Sequence, residues 1–383
     1  MYRIRNILLF LAVIVLLLGL WKRTEIVRLL SVLTLFEPDR IVANFSAMDR
    51  SFSTVDLPVG NNPLPLPQGP PLAEVSGMEE FLKRRSVTAL VVLKDGAIAK
   101  EHYLQGTTAE DRRISWSVAK SFLSALFGIV LAEGTIRSID DPVTLYAPQL
   151  VGGAYDNVAI RDVLTMSSGI QFDEGYLDYN SDINRMGRSL AIGKSMDGFA
   201  AELRQRDRPA GTQWAYVSID THVLGMVLRG ATGRDIAGLM SEKLLAPLGL
   251  EAAPSYITDG FGEPFVLGGL NLRARDYARF GLLFANDGAL RGAQIVPRDW
   301  VRMSTRPQAN TPPGAPGYGY QWWIPPNAPD GVFFARGIYG QFIYIDRPGN
   351  LVITINSADL DFATQEAFAD YLGFFRQISA SFR

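Results

Sequence analysis

The sequence predicts an α+β fold in which an antiparallel sheet is built from both ends of the chain and flanked by helices. Residues 88–104 contain two strand-like runs around Asp95-Gly96, and an Asp-Gly pair between apolar runs predicts a hairpin. Matching strand-like runs lie near the C-terminus, at 331–336, 341–346 and 351–356. Because mainly helical patterns separate the two groups, we expect one sheet assembled from both ends, with a helical insert between them.

Apolar residues at helical spacing predict the remaining elements of the body, which we expect to span residues 73–383. The helical insert is expected to cover about residues 118–290. Helices are predicted at residues 77–85, 160–167, 221–231, 236–247, 274–286 and 363–382. The functional site should lie where the sheet meets the insert.

Residues 1–36 are predicted to be a membrane anchor. An uninterrupted apolar run of 15 residues, 7–21, follows two arginines and precedes Lys22 and Arg23. The run is shorter than the ~20 residues of a typical span but suits a signal or anchor segment with basic flanks. Because no small-residue cleavage site follows, we expect an uncleaved inner-membrane anchor with the body on the extracytoplasmic side. A buried core helix is the alternative.

Residues 37–72 are predicted to be an arm that connects the anchor to the body. Within it, residues 57–71 are too rich in Pro and Gly for a helix or a sheet, and this composition predicts an extended chain.

The composition excludes several classes of function. A net charge of −2 and a pI near 5.9 give no basic field for nucleic acid. The absence of cysteine excludes disulfides and thiolate chemistry. His102 and His222 are the only histidines, and each is interpreted as structural, so no metal site and no cofactor are predicted. The oligomeric state is left open.

The most informative stretch is Ser117-Val118-Ala119-Lys120, an S-x-x-K pair at the start of an apolar helix. Residues three apart on a helix are neighbours on one face, so the Lys120 amine can reach the Ser117 hydroxyl. Burial lowers the pKa of a lysine, and such an amine can activate a serine without histidine. The helix start also favours an oxyanion beside Ser117. An ordinary helical turn with a solvated lysine is the alternative.

Two later segments contain candidates for the same site. Tyr216 follows a turn and is a candidate second proton carrier, with a pKa that we expect a nearby lysine ammonium to lower. The same Y-x-S spacing occurs at Tyr179, so spacing alone does not choose between them. In Ala335-Arg336-Gly337-Ile338, glycine permits close approach of a ligand, and the amides of Ser117 and Ile338 are candidate oxyanion donors. A plain turn is the alternative.

The ordered set of motifs resembles the penicillin-recognising serine hydrolases, on the class C beta-lactamase and esterase side and most closely the 6-aminohexanoate-dimer hydrolase branch. The motifs are S-x-x-K at 117–120, LTMSSG at 164–169, P-x-G-x-x-W-x-Y-x-S at 209–218, RDYARFG at 275–281, YGYQWW at 318–323 and R-G-x-x-G-Q at 336–341. The resemblance implies a beta-lactamase/transpeptidase-like fold with Ser117 as nucleophile and Lys120 and Tyr216 as proton carriers. It also implies substrate contacts for Tyr176 and Asn271. Further candidate substrate contacts are Ser218, Gly337 and Tyr339.

Two departures from that family's pattern shape the expected activity. The Lys of the Lys-Ser/Thr-Gly strand motif is absent, because Ala335-Arg336-Gly337 stands there, and Ser218 replaces the asparagine of Y-x-N. The missing lysine disfavours beta-lactams and cell-wall peptides. We therefore expect hydrolysis of a small ester or amide. A beta-lactamase or D,D-peptidase, and a non-catalytic membrane-anchored binding module, are the alternatives.

Overall fold

The computed structural model describes residues 2–21 and 23–382. The helices are α1 Tyr2–Trp21, α2 Arg23–Leu33, α3 Ile41–Asn44, α4 Met78–Arg84, α5 Ala119–Ala132, α6 Ile160–Leu164, α7 Asp182–Ala191, α8 Met196–Glu202, α9 Ser218–Thr232, α10 Ile236–Met240, α11 Ala246–Leu248, α12 Ala274–Ala285, α13 Arg298–Ser304 and α14 Gln365–Ser381. The strands are β1 Ser53–Asp56, β2 Val87–Lys94, β3 Ala97–Tyr103, β4 Arg113–Ile114, β5 Ser255–Thr258, β6 Leu270–Leu272, β7 Ala289–Leu290, β8 Ala293–Gln294, β9 Gly317–Tyr318, β10 Trp323–Ile324, β11 Val332–Gly337, β12 Gln341–Asp346 and β13 Leu351–Ser357.

The main sheet is antiparallel and has the strand order β3-β2-β13-β12-β11-β10-β9. Strand β2, from the N-terminal hairpin, pairs with β13, from the C-terminal group, so the predicted joining of both chain ends is confirmed. The hairpin turn at Asp95-Gly96 has φ of +52° and +80°, as a tight turn between twisted strands requires. The helical region between the strand groups packs on one face of this sheet.

Strand β2 is buried on both faces, which explains its continuous apolar sequence. Val91 and Leu93 belong to the large core shared with the helical insert, whereas Leu90 and Val92 belong to a second core beneath α4 and α14. Successive strand residues point to opposite faces, so a central strand covered on both sides needs apolar residues at every position. The sheet therefore separates two hydrophobic layers.

A second sheet, with the order β1-β5-β6-β4, was not predicted from the sequence. Its strands β4 and β6 end close to Ser117, and β1 comes from the segment expected to be an arm. That segment also forms α3 and buries Phe45 and Leu57 completely. Its first part is thus packed against the body, because its apolar side chains are needed to complete the core, whereas residues 57–71 contain no helix or strand.

The prediction of a membrane anchor is wrong. None of the described helices combines the length and apolar character that crossing a bilayer requires. The uninterrupted apolar run of α1 has 15 residues, and at 1.5 Å per residue this is ~22 Å, short of the ~30 Å hydrocarbon core. The predicted inner-membrane attachment and extracytoplasmic placement of the body fall with it.

Candidate active site

Ser117 lies in a single 3₁₀ turn, Trp116–Val118, immediately before α5. Trp116 has a φ of +42°, an uncommon conformation for a non-glycine residue and one that recurs at functional sites. Gly337, the last residue of β11, lies against this turn: a Cβ there would be 2.6 Å from the Ser115 carbonyl oxygen and 3.0 Å from the Ser117 nitrogen. Only glycine therefore permits this approach of the strand to Ser117.

The Lys120 amine is next to the Ser117 hydroxyl and out of water. Its Nζ lies 3.0 Å from Ser117 Oγ and donates to the Leu267 carbonyl at 2.8 Å. The side chain is buried in α5, whose residues 119–130 are all buried. Burial lowers the pKa of Lys120 to about 7, against the opposing effect of the Glu174 and Asp220 carboxylates. An amine with this pKa has a substantial neutral fraction near neutrality, as a general base requires.

Tyr216 lies close to the same lysine amine. Its ring centre is 5.4 Å from Lys120 Nζ. The ring stacks on Trp323 at 5.5 Å. Burial raises the pKa of Tyr216, with a further increase from Glu174, so the prediction of a lowered pKa is wrong. Spacing in the sequence does not show that the Tyr216 side chain is half-buried by other segments, and desolvation disfavours the phenolate.

Tyr179, the other tyrosine with the Y-x-S spacing, is 63% exposed and stacks under the Arg188 guanidinium at 3.9 Å. The structure thus brings Tyr216, and not Tyr179, to the Ser117–Lys120 pair.

Ile338 and Tyr339 follow Gly337 and line the same cavity as Ser117. Tyr339 has a φ of +57° and is 6% exposed, with its ring stacked on Phe36 at 4.8 Å. The turn therefore holds the backbone of Ile338 beside Ser117, where its amide is a candidate oxyanion donor.

Glu174 is the site residue that sequence reasoning missed. Its carboxylate accepts hydrogen bonds from the Tyr176 hydroxyl at 2.6 Å, the Ser218 hydroxyl at 3.0 Å and the Ser218 backbone N–H. Burial raises the pKa of Glu174, whereas the Lys120 charge lowers it. A glutamate in a polar loop gives no signal of such burial in the sequence. The predicted residues Tyr176 and Ser218 both line the cavity, joined through this carboxylate.

Two further residues lie away from the cavity. Asn271, a predicted substrate contact, is buried in β6, where its amide donates to the carbonyls of Gly269 at 2.9 Å and Ser255 at 3.3 Å. It is outside the lining of the cavity. The Arg336 guanidinium lies 4.4 Å from the Phe368 ring and donates to the Phe362 carbonyl. It is held by the C-terminal part of the chain and does not line the cavity beside Ser117.

No cluster of three or more His, Asp or Glu side chains in the described part of the chain could hold a metal ion. His222 is buried, and its Nε2 lies 2.7 Å from Asp197 Oδ1, away from the Ser117 site.

Comparison with known proteins agrees with this architecture. Residues 77–375 match the Beta-lactamase family model. The chain is 29% identical over 297 residues to the 6-aminohexanoate-dimer hydrolase of Paenarthrobacter ureafaciens, covering 73% of this chain and 75% of that protein. A solved structure from Bacillus anthracis, provisionally named a 6-aminohexanoate-dimer hydrolase, has a TM-score of 0.80 at 22% identity over 90% of this chain and 95% of that one.

A more distant structural match is the octameric penicillin-binding protein homologue from Pyrococcus abyssi. Its TM-score is 0.60 at 19% identity, over 79% of this chain and 76% of that one. The predicted beta-lactamase/transpeptidase-like fold is therefore confirmed. Because the matched region spans most of the chain, this protein belongs to the beta-lactamase family.

Proposed function

We propose that this protein is a serine hydrolase that cleaves an ester or amide bond of a small molecule through an acyl-enzyme on Ser117. The observation that carries the proposal is the 3.0 Å contact between Ser117 Oγ and the buried Lys120 amine. A relative named as an amide hydrolase, the 6-aminohexanoate-dimer hydrolase, supports the same class of reaction.

In the first step, neutral Lys120 accepts the Ser117 proton while Oγ attacks the substrate carbonyl. The amides of Ser117 and Ile338 donate to the oxyanion of the tetrahedral intermediate. Tyr216, kept as a neutral phenol by burial, donates a proton to the leaving group and regains one from the Lys120 ammonium. In the second step, water attacks the acyl-enzyme carbonyl, its proton passes to the same groups, and the Ser117 hydroxyl is restored.

The position of Arg336, which is half-buried on β11, favours an ester or amide over a beta-lactam or a D,D-peptide. Those substrates carry a carboxylate, which a cation on strand β11 facing Ser117 would bind. The Arg336 charge instead lies against Phe368 and the Phe362 carbonyl. The proposed substrate therefore needs no carboxylate next to the scissile bond.

The test is covalent labelling by a fluorophosphonate, located by mass spectrometry, together with turnover of short-chain esters, amide oligomers and a chromogenic cephalosporin. We expect one label, on Ser117, hydrolysis of an ester or amide, and loss of both in Ser117→Ala. Faster acylation by the cephalosporin than by any ester or amide would favour the beta-lactamase alternative. Failure of the folded protein to react with any of these compounds would favour a non-catalytic binding module.

A further inference from the structure

A cavity of about 330 Å³ opens beside Ser117, and its walls are mainly apolar. This volume lies at the lower end of the ~300–1,000 Å³ range of small-molecule sites. Apolar side chains from α7 and from the β5–β6 region form two of its walls, represented by Met186, Leu190, Ile257 and Phe265. Such a cavity favours a ligand group that gains by leaving water.

The third wall comes from the N-terminal segment Val32–Phe36. Leu35 is 2% exposed, and the Phe36 ring lies 5.8 Å from the Trp116 ring and 4.8 Å from the Tyr339 ring, with which it stacks. Trp116 directly precedes Ser117 in the sequence, and Tyr339 directly follows Ile338. The N-terminal segment thus closes the cavity directly over the reacting serine.

The charged side chain in the cavity lining already contacts a neighbouring residue. Among the described lining residues, Arg188 carries the one formal charge, and its guanidinium donates to the Tyr179 carbonyl at 2.6 Å and stacks on the Tyr179 ring. At the mouth, Leu33 and Leu177 are 56% and 80% exposed. An uncharged, apolar group is therefore better matched to the cavity than a charged one.

The position of Tyr216 indicates which part of the substrate enters the cavity. Tyr216 donates the proton to the leaving group in the proposed mechanism, and it lies outside the lining of the cavity, whereas Ile338 and Tyr339 line it. The leaving group thus departs on the Tyr216 side, and the cavity lies on the acyl side of the scissile bond.

From these observations we propose that the cavity walled by Val32–Phe36 receives an aliphatic acyl chain, so that the substrates are medium-chain acyl esters or amides. The inference rests on the proposed hydrolase activity and adds the identity of the acyl group.

The test is the chain-length dependence of kcat/KM for p-nitrophenyl acetate, butyrate, hexanoate and octanoate with the full-length protein. Each methylene that enters the cavity is expected to raise kcat/KM about fourfold, from ~0.8 kcal/mol per buried methylene. A flat profile, or one that falls from acetate onward, would overturn the inference.

Gly187 on α7 provides a variant that fills the cavity. It lines the cavity, and a Cβ at this position would meet no atom within 4 Å. Gly187→Leu is expected to lower kcat/KM for octanoate at least tenfold more than for acetate. The matched control is Gly373→Leu on α14, where a Cβ also meets nothing within 4 Å, and the chain-length profile should be unchanged. An equal effect of Gly187→Leu on all esters would contradict the inference.

Phe36→Ala tests the N-terminal wall. Removing the ring enlarges the cavity beside Trp116 and Tyr339, so the preferred acyl chain should become longer or its selectivity weaker. An unchanged profile would contradict a wall formed by this segment.

Fluorophosphonate labelling separates the two proposals: if Ser117 is labelled and acetate is hydrolysed but chain length has no effect, the acyl-chain inference fails and the hydrolase proposal stands. If neither labelling nor hydrolysis occurs, both fail.

Discussion

At the scale of single residues, the decisive property is the depressed pKa of the Lys120 amine. The amine must be neutral to accept the Ser117 proton, and burial lowers its pKa to about 7. We therefore expect the rate of Ser117 labelling to rise with pH through about 7 and then level off, as the ammonium loses its proton. Fluorophosphonate labelling measured from pH 5 to 9 checks this. A rate that falls over this range would exclude Lys120 as the base.

A second prediction at this scale concerns Glu174. Its carboxylate raises the pKa of Lys120 electrostatically. Glu174→Gln keeps the shape but removes the charge, so the pKa of Lys120 should fall and the rising limb of the labelling profile should move to lower pH. A change in labelling rate without a shift of the limb would indicate that Glu174 only orders Tyr176 and Ser218.

The control for that experiment is Glu242→Gln. Glu242 is exposed, pairs with Arg234 and lies outside the cavity lining, so its substitution should leave the pH profile in place.

The residues of the site were predictable to different degrees. Spacing on one helical turn was enough to pair Ser117 with Lys120, because helix geometry is local. The direction of the Tyr216 pKa shift depends on burial by segments that are distant in the sequence. The position of Glu174 at the site depends on the path of a polar loop. Neither could be predicted from spacing. Asn271 was carried over by resemblance, and in this structure its amide is occupied by backbone carbonyls.

At the scale of elements, the packing of α5 against α13 depends on the close approach of Trp300 to Gly128. A Cβ at this position would lie 2.2 Å from Cγ of Trp300, whose side chain is 2% exposed. Gly128→Ala should therefore displace α13 or α5 and lower the free energy of unfolding by ~1–3 kcal/mol, despite the higher helix propensity of Ala. Urea unfolding measures the change. Stabilisation would show that Trp300 moves aside without cost.

Gly373→Ala is the matched control for the glycine in α5. Position 373 is also helical, and a Cβ there has open space. Helix propensity alone should then act, giving stabilisation by up to ~1 kcal/mol.

Elements that are defined by local sequence were predicted, whereas those that depend on contacts distant in the sequence were missed. The hairpin β2–β3 and the strands β11 to β13 are mainly apolar runs next to turn residues such as Asp95-Gly96 and Pro348-Gly349-Asn350, and they were predicted close to their observed bounds. Strand β1 was missed because it has four residues and is defined by its pairing with β5, about 200 residues away in the sequence. The wall formed by Val32–Phe36 was assigned to an anchor, since an apolar stretch does not reveal which surface covers it.

For the whole molecule, stability depends on contacts between the two ends of the body. Arg85, at the end of α4, is 3% exposed and contacts Asp370 of α14 at 2.8 Å and the buried Asp359 at 3.6 Å. Arg85→Met would leave a buried carboxylate without its cation, which typically costs ~3–5 kcal/mol. We expect a loss of this order in urea unfolding, with circular dichroism and hydrolysis lost together.

Arg84→Met is the control. Arg84 also pairs with Asp370, but its side chain is 48% exposed, and exposed ion pairs contribute little. Equal losses for the two variants would show that Asp370 alone, and not the buried Asp359, determines the effect.

The close approach of Gly337 to the serine turn also has a consequence for synthesis on the ribosome. Ser117 emerges long before Gly337, yet the strand ending at Gly337 is what lies against the serine turn and brings Ile338 to it. A nascent chain that has reached only the helical insert carries Ser117 without the neighbouring backbone of β11. Ribosome-bound intermediates should consequently be inert toward acylating reagents until β11 has left the ribosome and packed against the serine turn.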